Sequence, residues 1–268
     1  MTEPLNPSAE ILLATDFCDA SRSALACARQ MAHLRGAAVR ALHVLDLTAA
    51  ESSFTIAHES AERMLREVRR ELRFAGIRET ATLVSGGHPA RAIREAVAQF
   101  KPALLVLGLN GARSRNPSAL GATVRALLAH APCPVVTVTE SFDWRREPSA
   151  LENALIVTDT APEGPAAALT AWPPAKGARD VRICAVLPPN SRRLPKRFSQ
   201  TPEPFAPARP IRHDGAAAAI LQEANARDAG LMVLAFRAGG YLDSWGVSCI
   251  ARRIVTAAKC PVLTVRIP

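Results

Sequence analysis

Apolar positions along the chain cluster into short runs, and the stretches between them carry a longer period. Residues 11–14, 39–45, 80–84, 104–107 and 135–138 are dominated by Val, Leu and Ala. Runs of this length suit strands buried on both faces of a parallel sheet. Between them, residues 21–35 read as a helix closed by Gly36. Residues 58–74 carry Ala61, Met64, Leu65, Val68 and Leu72 near helical spacing and stop at Gly76. A third helix over 89–100 opens on Pro89, a residue suited to a first helical turn, and a fourth follows Gly121. Strands alternating with helices predict right-handed crossovers and a mostly parallel sheet.

The same order returns in the second half. Ile11-Leu12-Leu13-Ala14-Thr15-Asp16 reads like Ala154-Leu155-Ile156-Val157-Thr158-Asp159, an apolar run with a polar tip. Cys133-Pro134-Val135 returns as Cys260-Pro261-Val262, and Leu105-Val106-Leu107 as Met232-Val233-Leu234, both at one offset of 127 residues. The two Thr-Asp tips lie 143 residues apart, so the second copy is 16 residues shorter in its middle. That shortening falls after a strand over 181–187. Pro188, Pro189, Pro195, Pro202, Pro204, Pro207 and Pro210 forbid a continuous helix there. The long second helix is therefore expected to be missing, and residues 188–212 to form a basic, Pro-rich surface loop. The chain of 268 residues reads as two tandem α/β domains, 1–142 and 150–268.

Composition narrows the function classes. Aromatic residues make up only 4%, so the core must be aliphatic. No apolar run approaches the roughly 20 residues of a membrane span, and the N-terminal residues lack a signal-peptide pattern. The six cysteines form no C-x-x-C pair, which argues against a disulfide framework or zinc site and for reduced thiols in a cytoplasmic protein. The six histidines have no metal-ligand spacing. A net charge of +9 makes anionic partners plausible. The basic residues Arg192, Arg193, Lys196, Arg197, Arg209 and Arg212 have no aromatic stacking platform beside them apart from isolated Phe198 and Phe205, so nucleic acid is not the expected partner.

The candidate chemistry lies in a glycine loop. Gly108-Leu109-Asn110-Gly111 follows the strand over 104–107, and Gly121-Ala122-Thr123 opens the next helix. Glycines allow positive φ and close backbone approach to a ligand. A helix N-terminus offers unpaired N–H groups and a positive dipole end to a phosphate. Thr123 could add a hydroxyl, and Arg113 and Arg115 could add charge as phosphate contacts. The absence of Gly-Lys-Ser/Thr excludes a P-loop. Ligands of such sheets lie beyond the carboxyl ends of the strands where strand order reverses, and Asp16 would face the loop across that crevice. By the same offset, Gly108, Gly111 and Gly121 become Ala235, Ala238 and Ser248, so the second copy loses the loop while keeping Asp159 as an expected strand-end cap. Gly239, Gly240 and Gly246 lie close by with no spacing that suits a phosphate.

These residues resemble the universal stress protein family in its tandem form. Leu13-Ala14-Thr15-Asp16-Phe17, His43-Val44-Leu45-Asp46, Gly87-His88-Pro89-Ala90 with Ile93, and the stretch from Gly108 to Val135 carry the resemblance. It implies two open, five-stranded, mostly parallel sheets of the adenine-nucleotide alpha hydrolase-like type. It also implies an adenine-nucleotide site for ATP or AMP, with magnesium as a companion of ATP. Ala14, Thr15, Asp16 and Val44 would border base and ribose, and Leu107, Gly108, Asn110, Gly111, Gly121, Ala122 and Thr123 would hold ribose and phosphates. The strand from Val135 to Val138 would pair with that from Val262 to Val265 within the chain, as a pseudo-dimer. Two departures stand out: Ala122 occupies the family's usual Ser or Thr position, and Cys18 the usual Ser after Asp-Phe. The expected function is a cytoplasmic, stress-responsive regulator that binds an adenine nucleotide, with slow ATP hydrolysis at most, because no base is placed to activate water. The alternative is an interaction protein that binds no nucleotide and acts through residues 188–212.

Overall fold

The structure, a computed structural model, describes residues 9–45, 51–85, 87–111, 119–130, 133–143, 145–161, 163–173, 181–188, 191, 209–238, 242 and 249–267. The described residues divide between two compact units that meet in sequence at residues 144–145.

In the first unit the strands are β1 (Glu10–Ala14), β2 (Ala38–Leu45), β3 (Glu79–Ser85), β4 (Leu104–Gly108) and β5 (Val135–Val138). They lie in the order β3-β2-β1-β4-β5, every neighbouring pair parallel. The helices are α1 (Asp19–Arg35), α2 (Glu51–Phe74), α3 (Pro89–Phe100) and α4 (Ala122–His130). Right-handed crossovers carry α1 and α2 to one face and α3 and α4, which pack on each other, to the opposite one. Ile11, Leu12, Leu13, Val39, Leu105 and Val106 are fully buried, as solid apolar runs in a doubly covered sheet should be. Gly36 closes α1 with φ 64°, a left-handed position that glycine takes without strain. The C-terminal turns of α2 are clamped to β3 because the Glu79 carboxylate accepts from Arg69 and Arg73, each at 2.6 Å. Helix α2 begins seven residues before the periodic pattern does. Its first turns hold Glu51-Ser52-Ser53, residues at home at a helix start but without apolar spacing.

The second unit repeats the plan. Its strands are β6 (Ala154–Thr158), β7 (Arg182–Val186), β8 (Arg209–Ile211), β9 (Leu231–Arg237) and β10 (Val262–Ile267), and its helices α5 (Gly164–Ala171), α6 (Ala216–Ala226) and α7 (Ile250–Ala257). The order is β8-β7-β6-β9-β10, again with parallel pairs. This is the expected pair of five-stranded parallel sheets. One correction concerns the stretch over 188–212, read from sequence as a loop throughout. Residues 209–211 form β8, whose Ile211 is buried and sits in register with Val186. Pro210 concealed this strand, because a proline lacks the ladder donor and is tolerated only where a strand has one paired side. Residues 189, 190 and 192–208 lie outside the described residues, so the expected loss of the long helix falls there.

Among the described residues no helix is long and apolar enough to cross a membrane. None of the six cysteines is in a disulfide, and Cys27, Cys184, Cys249 and Cys260 are buried. Burial holds Cys133, Cys184 and Cys260 in the thiol form, pushing their pKa up to about 12, 11 and 12.

Candidate functional site

Strand order in the first unit reverses at β1, which has β2 on one side and β4 on the other. At such a reversal, ligands of open α/β sheets bind beyond the carboxyl ends of the strands, between the segments that leave β1 and β4. Thr15 and Asp16 follow β1, and the glycine loop follows β4. Ala14 pairs in register with Leu42 and Leu107, while Val44 lies near the end of β2. Sequence reasoning thus names residues that the fold gathers at one end of the sheet.

Asp16 is held in place before any ligand arrives. Its Oδ1 accepts from Ser21 Oγ (2.7 Å) and from the Cys18 N–H (3.2 Å), and its own N–H donates to Ser21 Oγ (3.2 Å). The other oxygen faces the glycine loop, because a Cβ added to Gly111 would lie 2.7 Å from Oδ2. Gly111 itself is exposed. Carboxylate and glycine therefore meet across the crevice, and the missing side chain is what lets Asp16 approach the loop backbone.

The three loop glycines divide their tasks differently from the expectation of positive φ. None of them adopts it. Gly108 serves packing: an added Cβ would lie 2.7 Å from the Ala20 carbonyl carbon and 2.8 Å from Ala20 Cβ, so its bare Cα lets α1 cross β4 closely. At Gly121 an added Cβ would meet Asn110 Cα and Leu109 O at 3.4 Å, and its N–H is already donated to Leu109 O (3.1 Å). Gly121 thus closes the loop on itself and presents the start of α4. Ala122 is exposed and Thr123 half-buried in that first turn, whose N–H groups have no acceptor within the helix. Asn110 is 6% exposed, and Leu107 is buried within the sheet. Arg113 and Arg115 lie outside the described residues.

Two residues around Asp16 were underweighted in the sequence. Ser21 is buried in the first turn of α1 and bonded to Asp16 as donor and acceptor. Its signal was a serine one turn into an alanine-rich helix, five positions after the aspartate, a spacing that lets a hydroxyl cap the turn before it. It also explains how Cys18 is tolerated. The thiol lies 3.7 Å from Ser21 Oγ and from Asn110 O, so the strong hydroxyl contact to Asp16 comes from Ser21 instead. Burial first, and then the Asp16 hydrogen bond, raise the Cys18 pKa and keep it a neutral thiol.

His43 is the second. Its Nδ1 lies 2.7 Å from the Thr15 carbonyl oxygen, which can only accept, so Nδ1 carries the proton. The Phe17 ring covers it at 4.5 Å between centroids. Phe17 has φ 65°, an outlier for a bulky residue, with its N–H tied to Thr15 Oγ1 (3.1 Å). Burial lowers the His43 pKa from 6.5, partly opposed by the Thr15 carbonyl and the Asp16 charge. An unfolded chain then binds a proton near 6.5 that the folded one takes up only at lower pH. Stability is full above 6.5 and falls as pH drops below it, because the unfolded state holds more protons in that window. Urea denaturation at about pH 7.5 and about pH 5.5 should show this loss in the wild type and a smaller one in His43→Gln.

The second unit uses the corresponding residues differently. Asp159 is 4% exposed. Its Oδ1 accepts from the Ala161 N–H (2.9 Å) and its Oδ2 from the Arg237 N–H (3.0 Å), tying the tip of β6 to the end of β9. The Arg237 guanidinium turns to Glu163 (3.1 Å). Asp159 is thus the expected strand-end cap, with both oxygens engaged. The small residue at the helix–strand crossing has changed sides. Gly164 opens α5 against Thr158 and the Ala235 carbonyl of β9, where the first unit has Ala20 of α1 against Gly108. Gly239, Gly240 and Gly246 lie outside the described residues.

The model of the universal stress protein family matches residues 9–139. A Thermus aquaticus protein described as "universal stress protein in QAH/OAS sulfhydrylase 3′region" is 31% identical over 132 residues, which are 48% of this chain and 96% of that protein. Among solved structures, a universal stress protein from Archaeoglobus fulgidus superposes with a TM-score of 0.76 at 18% identity, over 97% of this chain and 98% of that one. A Pseudomonas aeruginosa protein of unknown function gives 0.63 at 14% identity, over 97% and 92%. At such identities the two structures speak for the fold, and they do so over nearly the whole chain.

Proposed function

The chain belongs to the universal stress protein family, and on that premise we propose that it is a regulatory protein binding one adenine nucleotide, ATP or AMP, in its first unit. The observation that carries this reading is the meeting of Asp16 Oδ2 with the bare Cα of Gly111 at the point where strand order reverses. The carboxylate accepts from ribose hydroxyls or the adenine amino group, with Ala14, Thr15 and Val44 beside it. The start of α4, with Thr123 one place beyond Ala122, receives the phosphates. The absence of a hydroxyl at position 122 removes one charge-assisted hydrogen bond, about 1.5–3 kcal/mol, and favours the ligand with fewer phosphates. Magnesium would accompany ATP, bound to its phosphates. In the second unit Asp159 has both oxygens engaged, which supports one nucleotide per chain.

Isothermal titration of the whole chain with ATP and with AMP tests the reading. The expected result is one equivalent bound, weakened at least tenfold in Asp16→Ala. Absence of heat with either nucleotide, or full affinity in Asp16→Ala, overturns it.

A further inference from the structure

Beyond the residues that the proposed function uses, the first unit carries a concavity that borders them at Thr15 and Ser21. Helices α1 and α2 diverge above the sheet and leave a cleft of about 660 Å³, within the size range of small-molecule sites. Its walls are Leu25 from α1, Met64, Val68 and Phe74 from α2, and the Phe17 ring at its inner end. Met64 and Phe74 are 38% and 95% exposed, two of the three large hydrophobic side chains left exposed among the described residues. Side chains that water would otherwise drive inward thus line one cleft.

The rim sets the charge of the occupant. Arg70 pairs with Glu67 (2.7 Å), Glu71 with Arg29 (3.2 Å) and Arg22 with Asp19 (3.2 Å), so each charge at the mouth already faces its opposite. A charged ligand would have to compete with these pairs, whereas a neutral one leaves them intact. Two aromatic rings and a thioether favour flat, polarisable rings over alkyl chains.

We propose that the α1–α2 cleft binds a neutral, planar aromatic molecule, with its rings between Phe17, Met64 and Phe74. The cleft borders the nucleotide site at Thr15 and Ser21, whereas Leu25, Met64, Val68 and Phe74 belong to the cleft alone, so dye binding between them is read independently of nucleotide binding.

Nile red, a neutral planar dye that fluoresces in apolar surroundings, serves as the probe on the full chain. The expected result is saturable fluorescence with one dye per chain. Affinity should fall at least tenfold in Met64→Glu and in Phe74→Glu, both surface positions whose replacement spares the fold, as circular dichroism would verify. Ile56→Glu, at the remaining exposed hydrophobic of α2 outside the cleft, should bind as the wild type does. Non-saturable fluorescence, or equal affinity in Met64→Glu and the wild type, overturns the proposal. Competitive displacement of the dye by ATP or AMP would assign the dye to the nucleotide crevice and overturn it too.

Discussion

Gly108→Ala is expected to destabilise the first unit by about 2 kcal/mol, the typical cost of forcing extra volume into a close-packed contact, although it adds a single methyl group. The added carbon would lie 2.7 Å from the Ala20 carbonyl carbon and 2.9 Å from its oxygen. Those are backbone atoms of α1, which no rotamer change can move. The helix must lift from β4, and Ala24, Leu25 and Ala28, all buried, lift with it. For a unit of this size the loss corresponds to a fall in Tm of roughly 5–10 °C, measurable by calorimetry. An unchanged Tm would show that α1 does not approach β4 as closely as described. Ser21 follows Ala20 and moves with the helix, so the anchor of Asp16 shifts too and nucleotide affinity should fall together with stability.

Gly111→Val is expected to do the reverse. The position is exposed and its φ is not positive, so a side chain there strains neither core nor backbone. Its Cβ would nevertheless lie 2.7 Å from Asp16 Oδ2. The carboxylate can swing away, but the valine methyls then occupy the place where it would meet a ribose. Losing the hydrogen bonds made to this charged group corresponds to about 2 kcal/mol or more, roughly a thirtyfold weaker Kd. In the wild type, nucleotide at about one hundred times its Kd adds about 2.7 kcal/mol to stability, and Gly111→Val should lose most of that rise at the same nucleotide concentration while keeping its unliganded Tm. Together the two variants separate the glycines: one acts on the fold and through it on the site, the other on the ligand with the fold kept. A nucleotide-induced rise in Tm that survives Gly111→Val would place the ligand elsewhere on the chain.

Periodicity and self-similarity alone determined a good deal about this protein. The alternation of solid apolar runs with helical spacing specified parallel α/β units, because buried strands and amphipathic helices leave different repeats in the chain. The return of Thr158-Asp159 and of Cys260-Pro261-Val262 specified that there are two. The position of the glycine loop after one strand and before one helix specified which end of the sheet holds the candidate site. Strand β8 escaped because three residues containing a proline carry almost no period, and the early turns of α2 because they lack apolar spacing.

The tertiary structure decided what each residue does there. Gly108 and Gly111 look alike in sequence, but one faces the backbone of Ala20 and the other the carboxylate of Asp16. Asp16 and Asp159 end equivalent strands, yet Oδ2 of the first lies against the bare Cα of Gly111 and Oδ2 of the second accepts from the Arg237 N–H. Leu25 and Val68 come to line one cleft although 43 positions separate them in sequence. The physical reason is the same in each case. Local pattern records how deeply a residue is buried, whereas the identity of its neighbour depends on how closely two elements distant in the chain approach.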